Sequence, residues 1–141
     1  MALASFSTIV EFALRAEESG IGFFSLPAVA ETAKDILARV RAEAEKNVKA
    51  LRATLRENVT EIVMEPCETL DETAYRCDLT LPGGEIAGGD VLGKSIELLE
   101  KQRDFLQRAA EAVNLAEVRR AFRKMADRKG PLISEIRQLR G

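Results

Sequence analysis

Two charged residues of this chain stand where the surrounding pattern calls for apolar side chains. From Phe6, the residues Phe6, Val10, Ala13, Gly20 and Phe24 recur at four- and three-residue intervals, and Glu17 fills the gap in the same rhythm. Near the other end, Val118, Phe122, Met125, Leu132, Ile136 and Leu139 make a second stripe with Lys129 in its middle. An unpaired charge in a packed core costs several kcal/mol, so Glu17 and Lys129 are expected to neutralise each other, to shift their pKa values or to hold a metal. Glu45 and Arg103 lie at the shoulders of two further stripes and are expected to join them, giving a core network of two acids and two bases.

Other chemistry is scarce. The chain has no histidine, which excludes Ser/His/Asp and Cys/His catalysis, imidazole-ligated zinc and a histidine proton shuttle. Cys67 and Cys77 are too few for a disulfide framework and are not spaced as a zinc knuckle, so they are expected to be reduced thiols, with a local disulfide across the loop that holds them as the alternative. A thiol redox module built on them has only Arg76 nearby to lower a thiol pKa.

These residues need helices to position them. The spacing predicts four, at about 5–26, 32–61, 90–113 and 115–139, with a crossover over 62–89. Pro27 ends or kinks the first, Thr32 caps the second, and Leu37, Val40, Ala44, Val48, Leu51, Leu55 and Ile62 form its stripe. Asp90 caps the third, whose stripe is Leu92, Ile96, Leu99, Leu106, Ala110 and Val113 with Gln102 and Arg103 at the remaining turn. Asn114 and Glu117 form a capping box for the fourth, and Gly130-Pro131 is expected to kink or break it. Between Val63 and Gly89 the periodicity stops, with one extended stretch expected near Tyr75 to Leu81. The expectation is an all-α single domain, 1–141: a four-helix bundle of two hairpins joined by a long crossover.

At 141 residues one core suffices. Lys and Arg number 21 against 23 Asp and Glu, which reads as mixed rather than segregated charge, and a net charge of −2 gives no reason to expect nucleic acid. Aromatics at 5% leave no stacking platform for single strands. No apolar run approaches the roughly 20 residues that cross a bilayer. Met1 to Val10 lacks the marks of a signal peptide, so a cytoplasmic location is expected, without membrane association.

The pattern resembles the rubrerythrin-related branch of the ferritin-like superfamily over nearly the whole chain. The likeness lies in EFALRAEESGIGFF, in RAEAEKNVKALRATLRENVTEIVMEPCETLD, and in the hairpin from SIELLEKQRDFLQRAAEAV to AFRKMADRKGPLISEIRQL. Members of that family hold two irons between four helices. Their ligands are a glutamate seven residues before an aromatic on the first and third helices, and Glu-x-x-His on the second and fourth. The resemblance puts Glu17, with Phe24, at the first glutamate and Glu45 at the second. Val48 then stands at a histidine position, Leu99 at the third-helix glutamate with Leu106 at its aromatic, Lys129 at the fourth-helix glutamate and Leu132 at the last histidine. Two of six ligand positions survive, and a cation has replaced one of the others. No paired Cys-x-x-Cys motif for a rubredoxin-like iron centre is present.

The resemblance therefore implies the family's fold without its peroxidase or ferroxidase chemistry. The expected protein is a non-catalytic structural or partner-binding bundle, a homodimer or larger homo-oligomer, with an ion-pair network in place of the metals and no cofactor. The alternative is a metal-binding oxidoreductase with iron on a reduced, weakened or mononuclear carboxylate site, Glu17 and Glu45 with Glu100 or Asp127 recruited after a helix rotation.

Overall fold

The computed structural model describes residues 2, 3, 5–57, 68–76 and 88–140. Its long helices are α1 (Phe6–Phe24), α3 (Lys34–Glu57), α4 (Gly88–Ala112) and α5 (Ala116–Arg140), with a single turn, α2 (Pro27–Ala30), after α1. The molecule is an all-helical four-helix bundle of two hairpins, α1 with α3 and α4 with α5.

Ser5 starts α1 through a reciprocal pair of bonds, its hydroxyl accepting from the Thr8 amide and the Thr8 hydroxyl accepting from the Ser5 amide. Pro27 ends the run as expected, because its ring fixes φ and removes a donor, and it opens α2 at a position where no donor is needed. α3 begins with the Ala33 carbonyl accepting from Leu37, and α5 with the Leu115 carbonyl accepting from Arg119, one residue after each expected cap. α4 begins at Gly88, so Asp90 lies inside its first turn. Pro131 does not break α5. It is exposed, as is Asp127, whose carbonyl it deprives of a donor, so water can satisfy the orphaned acceptor.

Side-chain contacts fix the directions. Phe12 meets Phe105, and Gln102 reaches the Ala16 carbonyl, so α1 and α4 run antiparallel. Arg39 meets Glu135 and Glu43 meets Lys129, so α3 and α5 do too. Around the bundle the order is α1, α3, α5, α4, which leaves α3 and α4 parallel on a diagonal. The connection from 57 to 88 must therefore travel the length of the bundle. Its described part lies along α4: the Glu68 amide bonds the Ala112 carbonyl, and the Lys101 ammonium the Arg76 carbonyl. Leu70–Asp71 (β2) pairs antiparallel with Ala2–Leu3 (β1), followed by a 3-10 turn at Glu72–Tyr75. The sequence pattern had missed both two-residue strands, and Tyr75 sits in the 3-10 turn rather than in an extended stretch. Residues 58–61, Ile62, the remainder of the expected extended stretch, and both cysteines lie outside the described residues.

The core divides in two. One apolar cluster joins Phe6, Ile9, Val10, Leu51, Phe105, Leu106, Phe122 and Met125. The other joins Phe24, Leu37, Val40, Leu99, Ile133 and Ile136. Between them, on successive turns of the helices, lies a layer containing Glu17, Asn47, Gln102 and Lys129, each at most 4% exposed.

Charge is segregated by helix, contrary to what the totals imply. The neighbouring helices α3 and α5 carry fifteen of the 21 Lys and Arg and seven of the 23 Asp and Glu, a net of +8 that leaves −10 on the rest of the chain.

Candidate functional site: a buried lysine between two carboxylates

Glu17 faces inward because it sits four residues after Ala13 and three before Gly20 on the buried side of α1. Lys129 faces inward between Met125 and Ile133 on α5. Their side chains are 1% and 0% exposed. The Lys129 ammonium lies 2.9 Å from Glu17 Oε1 and 3.2 Å from Glu17 Oε2. It also donates to Glu43 Oε2 at 3.2 Å. Asn47 completes the cluster, its amide nitrogen donating to Glu43 Oε1 at 2.7 Å and to Glu17 Oε1 at 3.2 Å.

The donors and acceptors match. Two hydrogen bonds from Lys129 and two from Asn47 give each of the four carboxylate oxygens a donor, the ammonium also lies in ion-pair contact with Glu17 Oε1, and no buried side-chain polar atom of the described residues lacks a partner. Burial raises the Glu17 carboxyl above its ordinary value. Lys129 opposes that shift, the second carboxylate Glu43 adds to it, and the hydrogen bonds from Lys129 and Asn47 oppose it further.

Of the four residues expected in the core network, the structure brings together Glu17 and Lys129 alone. Glu45 is exposed, and the place expected for it belongs to Glu43. The two flank Ala44, each about 100° from it in opposite senses, so only Glu43 turns toward α5. Arg103 is excluded as well: it pairs with Asp104 at 3.2 Å near the surface, and the inward residue of that turn is Gln102. Gln102 donates to the Ala16 carbonyl at 2.8 Å, an approach that depends on Gly20, since a Cβ there would lie 3.0 Å from the amide nitrogen. Glu43 and Asn47 were the residues missed. Their signal was Asn47 itself, a polar residue in the inward series Val40, Ala44, Asn47, Leu51.

Val48 is buried, and Leu99 is buried in the second apolar cluster. Leu132 is half-buried, and Ile133 is the deeper residue of its turn. The reduced carboxylate site is not assembled: Glu100 pairs with Arg137 on the α4–α5 seam, while Glu45 and Asp127 are exposed. Nor does the central cluster fit a di-iron centre. Its four carboxylate oxygens already accept N–H groups, an ammonium stands between the carboxylates, and no group of three or more metal-binding side chains occurs among the described residues.

No protein-family model matches the chain, and neither the curated proteins nor the solved structures give a match.

Proposed function

We propose that this protein is a ferritin-like bundle in which an internal ion cluster replaces the di-iron centre, and that it acts as a non-catalytic scaffold through its surfaces, alone or as a homo-oligomer. One observation carries the reading: the Lys129 ammonium lies 2.9 Å and 3.2 Å from the carboxylates of Glu17 and Glu43 on two other helices. A lysine there supplies the positive charge that a bridging metal would otherwise provide. The single long crossover between parallel diagonal helices, the arrangement of ferritin-like bundles, is the second support.

The test is the metal content of protein purified from iron- or manganese-supplemented medium, together with its solution mass. The wild-type chain is expected to hold well under one metal per chain. Lys129→Glu, which sets three carboxylates side by side, is expected to be less stable than wild type without metal and to gain iron or manganese. A stoichiometric metal on the wild-type protein, removable by chelator, would overturn the proposal. Thermal neutrality of metal-free Lys129→Glu would count equally against it.

A further inference from the structure

Phe12, Ala16 and Ser19 of α1 meet Leu98 and Gln102 of α4 around a cavity of about 310 Å³, which the 3-10 turn at Glu72–Tyr75 borders on a third side. Ala16 and Ser19 are too small to fill it. Phe12 and Tyr75 both pack on the Phe105 ring, at 4.6 Å and 5.3 Å, so the aromatic walls are fixed before anything binds. The inner end is polar on one side. Gln102 donates its amide nitrogen to the Ala16 carbonyl, which turns its side-chain oxygen the other way, and that oxygen accepts no hydrogen bond among the described residues. No fully buried side-chain polar atom among them lacks a partner, so this oxygen must open onto free space, and the cavity is the space that Gln102 lines, although the residue is only 4% exposed. The mouth is cationic. Arg15 and Arg76 stand there with exposed side chains; Arg76 pairs with Glu72, whereas Arg15 has one loose contact among the described residues, 3.9 Å to Glu11. Two guanidiniums against one carboxylate leave the lining at +1.

We propose that this cavity binds a small phenolic carboxylate, its ring against Phe12, Tyr75 and Leu98, its hydroxyl donating to Gln102 Oε1 and its carboxylate on Arg15 at the mouth. The volume lies at the small end of ligand cavities, which run from roughly 300 to 1,000 Å³, and apolar walls with a few convergent polar groups are the usual lining of such sites. Inorganic phosphate is a poorer fit, because it has no apolar surface for the walls and would set its oxygens against Gln102 Oε1 and the Glu72 carboxylate. An amine is a poorer fit as well, since two guanidiniums flank the entrance. The site goes beyond the scaffold reading and does not rest on it. It uses neither Lys129 nor the carboxylates around it, so ligand titration and metal analysis fail independently.

Tyr75 is the only tyrosine of the chain, so protein labelled in tyrosine gives one set of ring signals in the NMR spectrum, and these report on the cavity wall. Titration with 4-hydroxyphenylacetate is expected to shift them with a Kd of about 0.1–1 mM, the affinity that a ligand of this size reaches at ordinary efficiency per atom. Phenylacetate, which leaves Gln102 Oε1 unpaired, is expected to bind about tenfold more weakly, and 4-hydroxyphenethyl alcohol, which lacks the carboxylate, to lose about as much. Arg15→Glu should weaken 4-hydroxyphenylacetate at least tenfold. Ala16→Met, which fills the cavity and leaves every charge in place, should abolish the shift. Arg123→Glu, exposed on α5, should stay within about twofold, with the same helical circular dichroism in all three variants. Tyr75 signals that do not move at about 10 mM 4-hydroxyphenylacetate would overturn the proposal. Unchanged affinity in either Arg15→Glu or Ala16→Met, or an equal shift with inorganic phosphate, would do the same.

Discussion

Lys129 has no route to water for its charge, since its side chain is 0% exposed and its two carboxylate partners are 1% and 10% exposed. Its stability contribution is therefore an all-or-nothing arrangement of desolvated charges. Lys129→Met is expected to cost about 3–5 kcal/mol, because it strands two carboxylates in the core. Adding Glu17→Gln should recover part of that loss, and chemical denaturation of the two single variants and the double gives the coupling. A cost for the double equal to the sum of the singles would show that the cluster is not one unit. Acid sensitivity has a definite sign. Burial holds the Glu17 carboxyl above 4.5, so the folded chain binds that proton more tightly than the unfolded chain. The contribution is fully present below about 4.5 and is lost as pH rises through the folded-state value. Denaturation midpoints of wild type should therefore fall, relative to Glu17→Gln, as pH climbs from about 4.5. Parallel profiles for the two proteins would assign the proton elsewhere.

Helix by helix, stability can be adjusted without touching that cluster. Gly22 is exposed in α1, and a Cβ there meets nothing within 4 Å. Gly22→Ala should therefore gain close to the propensity difference of about 1 kcal/mol, worth roughly 2–4 °C in Tm. Gly130 has the same open surroundings, yet it precedes Pro131, whose ring crowds the Cβ of a helical neighbour. Gly130→Ala should gain less, and calorimetry on the pair reads the difference. An equal or larger gain at Gly130 would mean that the proline imposes no such restriction. The same elements show how far the sequence could be read. The four helices were legible because Phe6–Phe24 and Val118–Ile136 keep strict apolar periods, and Glu17 and Lys129 stood out against those periods. Glu43 did not, because in α3 the alternative stripe through Val48 and Leu55 is equally regular, and a choice between Glu43 and Glu45 needs the position of α5. The β1–β2 pair was hidden for a different reason, since two-residue strands have no period to detect and depend on partners about 70 residues apart.

For the molecule as a whole, the polar layer leaves two apolar clusters of unequal duty. The cluster at the Phe6 end also holds down the crossover, because Phe105 contacts Phe12 at 4.6 Å on one side and Tyr75 at 5.3 Å, edge-on, on the other. Around that ring the chain from Leu70 to Arg76 is also secured by two-residue pairing with β1, by burial of Leu70 in the same cluster, by the Glu68–Ala112 bond and the Arg108–Glu68 ion pair, and by the Lys101 ammonium. Phe105→Leu keeps the site apolar but loses both ring contacts, each worth about 0.5–1.5 kcal/mol. If the aromatic wedge secures the crossover, hydrogen exchange at Leu70–Tyr75 should quicken by more than the drop in global stability explains, while Val40 and Ile133 in the other cluster follow the global change alone. A uniform loss of protection at all these amides would instead mean that crossover and bundle open together. The polar layer would then join the two clusters into one cooperative unit rather than separate them.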